Sequence, residues 1–224
     1  MKKIFDSGVL HLLPTADGFI FVAFQGEYAD RAIVVYRKYD AATGTIEPIT
    51  RNVYLLSKFG NGFEQFESSP SEFLNTRTEA LHDHRTLVLH PSGEASILNI
   101  NGVQCWSGKM LYRGHGPSSA AMTDKGLWVS YPAGNAIVRY SLRNMREDLR
   151  VGSEHSDVLK SPEYLFHAAT GKMLVCTGEN RKILSVNLDS YVIDEYMSFN
   201  EPVRQYTRIG HDEVVLLDSG IYML

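Results

Sequence analysis

Apolar positions along this chain come in short runs rich in β-branched and aromatic residues. Each run stops at a cluster of Pro, Gly, Asn, Asp or Ser, and a second apolar run follows, which is the pattern of a β-hairpin. Five such hairpins are predicted. They are Phe19–Phe24 with Ala32–Tyr36, Thr86–His90 with Ala95–Ile100, Leu127–Tyr131 with Ala136–Leu142, Met173–Thr177 with Ile183–Leu188, and Glu213–Leu217 with Ile221–Leu224. Their turns are rich in residues that accept positive φ or preset a bend, such as Pro91-Ser92-Gly93 and Asp218-Ser219-Gly220.

The hairpins recur. From Phe19 to Leu87, Leu127, Met173 and Val214 the spacings are 68, 40, 46 and 41 residues, and roughly 40 to 50 residues is the period of a four-stranded propeller blade. A further apolar run precedes each hairpin, at Val9–Leu13, Thr78–Leu81, Ser119–Met122, Tyr164–His167 and Arg204–Arg208. Three of these follow Pro117, Pro162 and Pro202, and proline suits the start of a strand. Outer strands are expected at Thr45–Leu56, Gly102–Leu111, near Glu147–Val151 and at Tyr191–Phe199, while the fifth hairpin has none after it. Lys2–Asp6 is a strand-like segment with no blade of its own. The pattern therefore predicts an all-β, five-bladed β-propeller over residues 1–224 as one domain, closed by pairing of the N-terminal strand with the last blade. Runs such as Val214-Val215-Leu216-Leu217 are continuously apolar, as expected for strands covered on both faces.

Leu127-Trp128-Val129-Ser130-Tyr131-Pro132-Ala133-Gly134-Asn135-Ala136-Ile137-Val138-Arg139-Tyr140 resembles a repeat of NHL or YVTN-type propellers, and Met173 through Leu188 is similar. Tyr39-Asp40-Ala41-Ala42-Thr43-Gly44 resembles the turn between the two outer strands of such blades. It also resembles part of a pyrroloquinoline quinone repeat, but Pro48 stands where that repeat has tryptophan. The Gly-His and Trp-Asp pairs of tryptophan-aspartate repeats and the sialidase box are missing. Propellers host many unrelated functions, so the resemblance implies a fold and carries no catalytic residue across.

Composition narrows the partners. With 26 acidic and 22 basic residues the formal charge is −4, and no concentrated basic face is evident, so nucleic acid is not expected as a partner. No run approaches the roughly 18 apolar residues of a membrane span. The start Met1-Lys2-Lys3-Ile4-Phe5-Asp6 does not read as a secretory signal, which leads to the expectation of a cytoplasmic monomer. Cys105 and Cys176 lack metal or redox spacing and are expected as buried thiols.

In a propeller, the loops leading into each first strand and the turns within each hairpin share one face. That face is expected to carry Tyr28, Arg113, His115, Tyr131, Asn135, Glu179, Arg181 and Arg204, because Tyr and Arg combine contact area with directed hydrogen bonds. His82-Asp83-His84, His11, His115 and His167 raise the question of a metal, but the strand histidines do not share one level, so neither a metal nor another cofactor is expected. Glu27, Asp30, Glu79, Glu163, Glu179 and Asp218 are candidates for an acid pair. The first blade carries an insertion, Ser57–Thr76, with Phe59, Phe63 and Phe66 at helical spacing. It is expected to pack on the rim or to act as a lid or docking surface. The expected function is a non-catalytic scaffold binding a protein or small polar ligand on the loop face. A carbohydrate-active hydrolase or lyase using face carboxylates is the alternative.

Overall fold

A computed structural model describes residues 1–28, 31–49, 54, 55, 64, 65, 77–81, 83–168 and 171–224 of the protein. The insertion expected at Ser57–Thr76, apart from 64 and 65, lies outside the described residues, as do His82 and Asp30. Strand β1 (Lys2–Asp6) is followed by a first sheet of β2 (Val9–Pro14), β3 (Gly18–Tyr28), β4 (Arg31–Asp40) and β5 (Ile46–Pro48). The short strands β6 (Tyr54–Leu55) and β7 (Glu64–Gln65) pair with each other. A second sheet holds β8 (Arg77–Ala80), β9 (Thr86–Leu89), β10 (Glu94–Leu98) and β11 (Gln104–Lys109). The third holds β12 (Ser119–Thr123), β13 (Gly126–Tyr131), β14 (Ala136–Ser141) and β15 (Arg146–Gly152). The fourth is built from β16 (Pro162–Ala168), β17 (Lys172–Thr177), β18 (Lys182–Asn187) and β19 (Ile193–Ser198). Strands β20 (Val203–Ile209), β21 (Asp212–Leu217) and β22 (Gly220–Met223) make the fifth, in which β1 is the fourth strand. Five antiparallel four-stranded sheets, four of them meanders and the fifth completed by β1, are the blades of a five-bladed β-propeller fold.

The chain falls into two compact units, one of Met1–Leu56, Phe63–Asn75 and Arg204–Leu224, the other of Ser57–Gly62 and Thr76–Val203. The first unit holds the first and fifth sheets around Leu12, Phe19, Phe21, Val214, Leu216 and Ile221. β1 lies antiparallel to β22 with Lys2 opposite Met223 and Asp6 opposite Gly220. Gly220 permits this approach, since a Cβ there would sit 2.1 Å from the Phe5 carbonyl oxygen. Phe5 in turn packs its ring 4.7 Å from that of Phe21. Gln205 on β20 ties the two sheets, its amide accepting from Leu12 N at 2.9 Å and donating to Leu12 O at 2.6 Å.

The second unit holds the second, third and fourth sheets. Strand residues alternate between faces, and β13 feeds two cores at once. Leu127, Val129 and Tyr131 join Leu87, Leu89 and Ile97, whereas Trp128 joins Leu165, Val175 and Leu184. This is why central strands such as β13 and β17 are buried along almost their whole length while outer β11 and β19 are largely exposed. Side chains of the first strands stitch neighbouring sheets. Glu79 accepts from Met122 N at 3.1 Å, and Ser119 Oγ accepts from Leu165 N at 3.2 Å.

Candidate functional site

The second unit gathers three connections on one side: the β11 to β12 loop, the turn between β13 and β14, and the β15 to β16 loop. The first of these is a tight turn in which Tyr112 and His115 exchange backbone hydrogen bonds of 3.1 and 2.9 Å. Arg113 and Gly114 occupy its tip at φ 50° and 83°. The second is a one-turn 3-10 segment, Pro132–Gly134, ended by Asn135 in the left-handed region at φ 48°. Proline presets the first residue and asparagine tolerates the last, so the sequence Pro-Ala-Gly-Asn specifies this bend. Gly134 is needed for close packing, since a Cβ there would lie 2.5 Å from the Tyr112 ring.

The third connection, from Gly152 to Ser161, is held by two asparagine side chains. Asn135 Nδ2 donates to Glu154 O at 3.2 Å, and Asn135 Oδ1 accepts from Ser161 N at 2.9 Å. Asn180 Nδ2 donates to the carbonyls of Asp157 and Val158 at 3.0 and 2.7 Å. Leu159 of this loop is fully buried. The loop is thereby fixed with Glu154 facing the tip of the first turn. Arg113 Nη1 donates to Glu154 Oε2 at 3.1 Å, and His115 Nε2 lies 3.9 Å from Oε1. The Arg113 side chain is about half exposed, and those of His115 and Glu154 about one-third.

Arg113, His115 and Asn135, three of the residues singled out in the sequence, thus meet at Glu154, which was not singled out. Its signal was its place in a long loop leading into a first strand. Glu179 is exposed, and Arg181 at φ 56° donates to Asn200 O at 3.1 Å. Arg204 lies in the other unit, where its Nε and Nη2 donate to Asp218 at 2.7 and 3.3 Å. The Tyr28 side chain lies outside the described residues, as does that of Glu27.

Two placements are corrected. Tyr131 is fully buried, with its hydroxyl 2.6 Å from that of Tyr140, and burial pushes the ionisation of both above the ordinary tyrosine value. It ends a strand face already committed to the core. Cys105 is exposed on the outer strand β11, whose side chains are largely exposed, and its thiol donates to Ile97 O at 3.2 Å. Cys176 is buried as expected, and burial pushes its thiol up. Both cysteines are free.

Among the acid candidates, Glu163 accepts from Ser161 Oγ at 2.9 Å, and Glu79 is engaged with Met122 as described. The Arg85 guanidinium holds the Asp83 carboxyl below the ordinary carboxylate range through contacts of 2.7 and 2.6 Å.

No protein-family model matches the chain, and no curated protein sequence matches it. Solved structures do. A streptogramin B lyase structure is similar with a TM-score of 0.61 at 10% identity, over 97% of this chain and 93% of that one. The Sqt1 protein of Saccharomyces cerevisiae gives 0.57 at 12% identity, over 96% and 72%. Virginiamycin B lyase from Staphylococcus aureus gives 0.54 at 12% identity, and the match spans 96% of this chain but 64% of the lyase. At such identities the likeness establishes the propeller fold alone.

Proposed function

We propose that the loop face of the second unit binds a small polar ligand without turning it over, at the site built by Arg113, His115, Asn135 and Glu154. The observation that carries this reading is the single Glu154 carboxylate joined to Arg113 and standing beside His115, on a loop anchored by Asn135 and Asn180. Preorganised polar groups lose little freedom when a ligand arrives, which favours binding. The experiment is a titration of small polar compounds followed by backbone amide NMR. Shifts confined to residues 112–115, 132–135 and 149–161 are expected, and they should weaken in Glu154→Gln while the melting temperature stays nearly constant. Shifts elsewhere on the molecule would refute the site.

The spacing of 3.9 Å between His115 and Glu154 favours one second reading. A carboxylate beside an imidazole orients a general base, and two of the similar structures are lyases by name. Turnover of a glycoside or a streptogramin by the protein, abolished in His115→Ala, would establish catalysis and replace the scaffold reading.

A further inference from the structure

Tyr112 has only 3% of its surface exposed, and two guanidinium groups border its ring. The guanidinium carbon of Arg113 lies 5.7 Å from the ring centroid and that of Arg150, on β15, lies 5.2 Å from it. Stacking on an aromatic ring fixes the plane of a guanidinium while leaving its edges open. Among the described residues, Arg113 spends one N–H on Glu154, and Arg150 has one ion contact, with Glu147 at 3.7 Å. Their side chains are 53% and 40% exposed. Each therefore keeps donors to spare for a ligand.

We propose that Arg113 and Arg150 receive an oxyanion of the ligand, a phosphate monoester or a carboxylate, with His115 beside it. The proposal rests on the binding role assigned to this face and names its ligand chemistry. A planar fork of paired N–H donors matches two oxygens of either group. Glu154 occupies one N–H of Arg113 and holds the group in place without filling the fork. Glu147 and Glu154 limit the net positive charge, so the site selects by fork geometry more than by bulk attraction. An isolated lysine pair would not provide that.

The test titrates the full chain with phenyl phosphate, benzoate and methyl glucoside at about 0.1 M ionic strength, where long-range attraction is screened. Backbone amide NMR is the readout. At least one of the two anions is expected to shift amides around Arg113 and Arg150. Arg150→Gln and Arg113→Lys should each weaken that binding by about tenfold, because lysine keeps charge but loses the fork. Arg146→Gln, outside the pair on the same strand, should leave it unchanged. Tighter binding of phenyl phosphate assigns a phosphate, and tighter binding of benzoate a carboxylate. Anion binding that survives Arg150→Gln overturns the paired site. A response to the glucoside alone overturns the oxyanion but retains the binding role, whereas no response to any probe counts against both.

Discussion

Tyr131 and Tyr140 share one buried hydrogen bond, so removing either hydroxyl strands the other. Tyr131→Phe is expected to cost about 1 to 2 kcal/mol, and adding Tyr140→Phe should return much of it, because an unpaired buried hydroxyl costs more than a missing pair. A double-mutant cycle in urea measures this. The same burial favours the neutral hydroxyls in the fold. Stability is then complete below the ordinary tyrosine value, about pH 10, and falls as pH rises beyond it while the unfolded chain releases its protons. At the two thiols, a disulfide reagent should label Cys105 quickly in the native protein and Cys176 only on unfolding. Equal rates would contradict their placement. The error at Tyr131 was avoidable in part. It shares period-two parity with Leu127 and Val129, both core residues, and that parity outweighs the suitability of tyrosine for a binding face.

At the scale of the element, the strands were legible because their apolar runs, turns and period agree with one another. All five hairpins form, and the weakly marked outer strand near Glu147–Val151 is β15. The expected outer strand Thr45–Leu56 is shorter, with β5 covering only Ile46–Pro48. Outer strands carry few buried side chains, so their ends leave little hydrophobic trace in a sequence. The loop that supplies Glu154 was visible as a loop, but its fixed shape depends on amides from Asn135 and Asn180, far apart in sequence. The pairing of β1 with β22 has an energetic consequence. Deleting residues 1–6 removes a ladder of hydrogen bonds together with the Phe5 contact to Phe21. Loss of several kcal/mol is expected, and an unchanged melting temperature would show that β1 contributes little.

At the scale of the molecule, the two units differ in how the chain reaches them. Apart from the short piece Ser57–Gly62, the second unit is one continuous stretch from Thr76 to Val203. The first unites segments from both ends, as in the bonds between Gln205 and Leu12, 193 residues apart. Long loops cost entropy before their contacts form. Refolding followed by pulsed hydrogen exchange should therefore protect amides of β12 to β18 before those of β3 and β21. Simultaneous protection would show that the fold forms in one step. The face-to-face position of Lys2 and Met223 also makes the order of the sequence dispensable. Residues paired across antiparallel strands lie about 5 Å apart at their Cα atoms, so a short glycine-rich peptide can join residue 1 to residue 224. New ends cut in the exposed Asp189-Ser190 turn should then yield a rearranged gene product with the same five sheets.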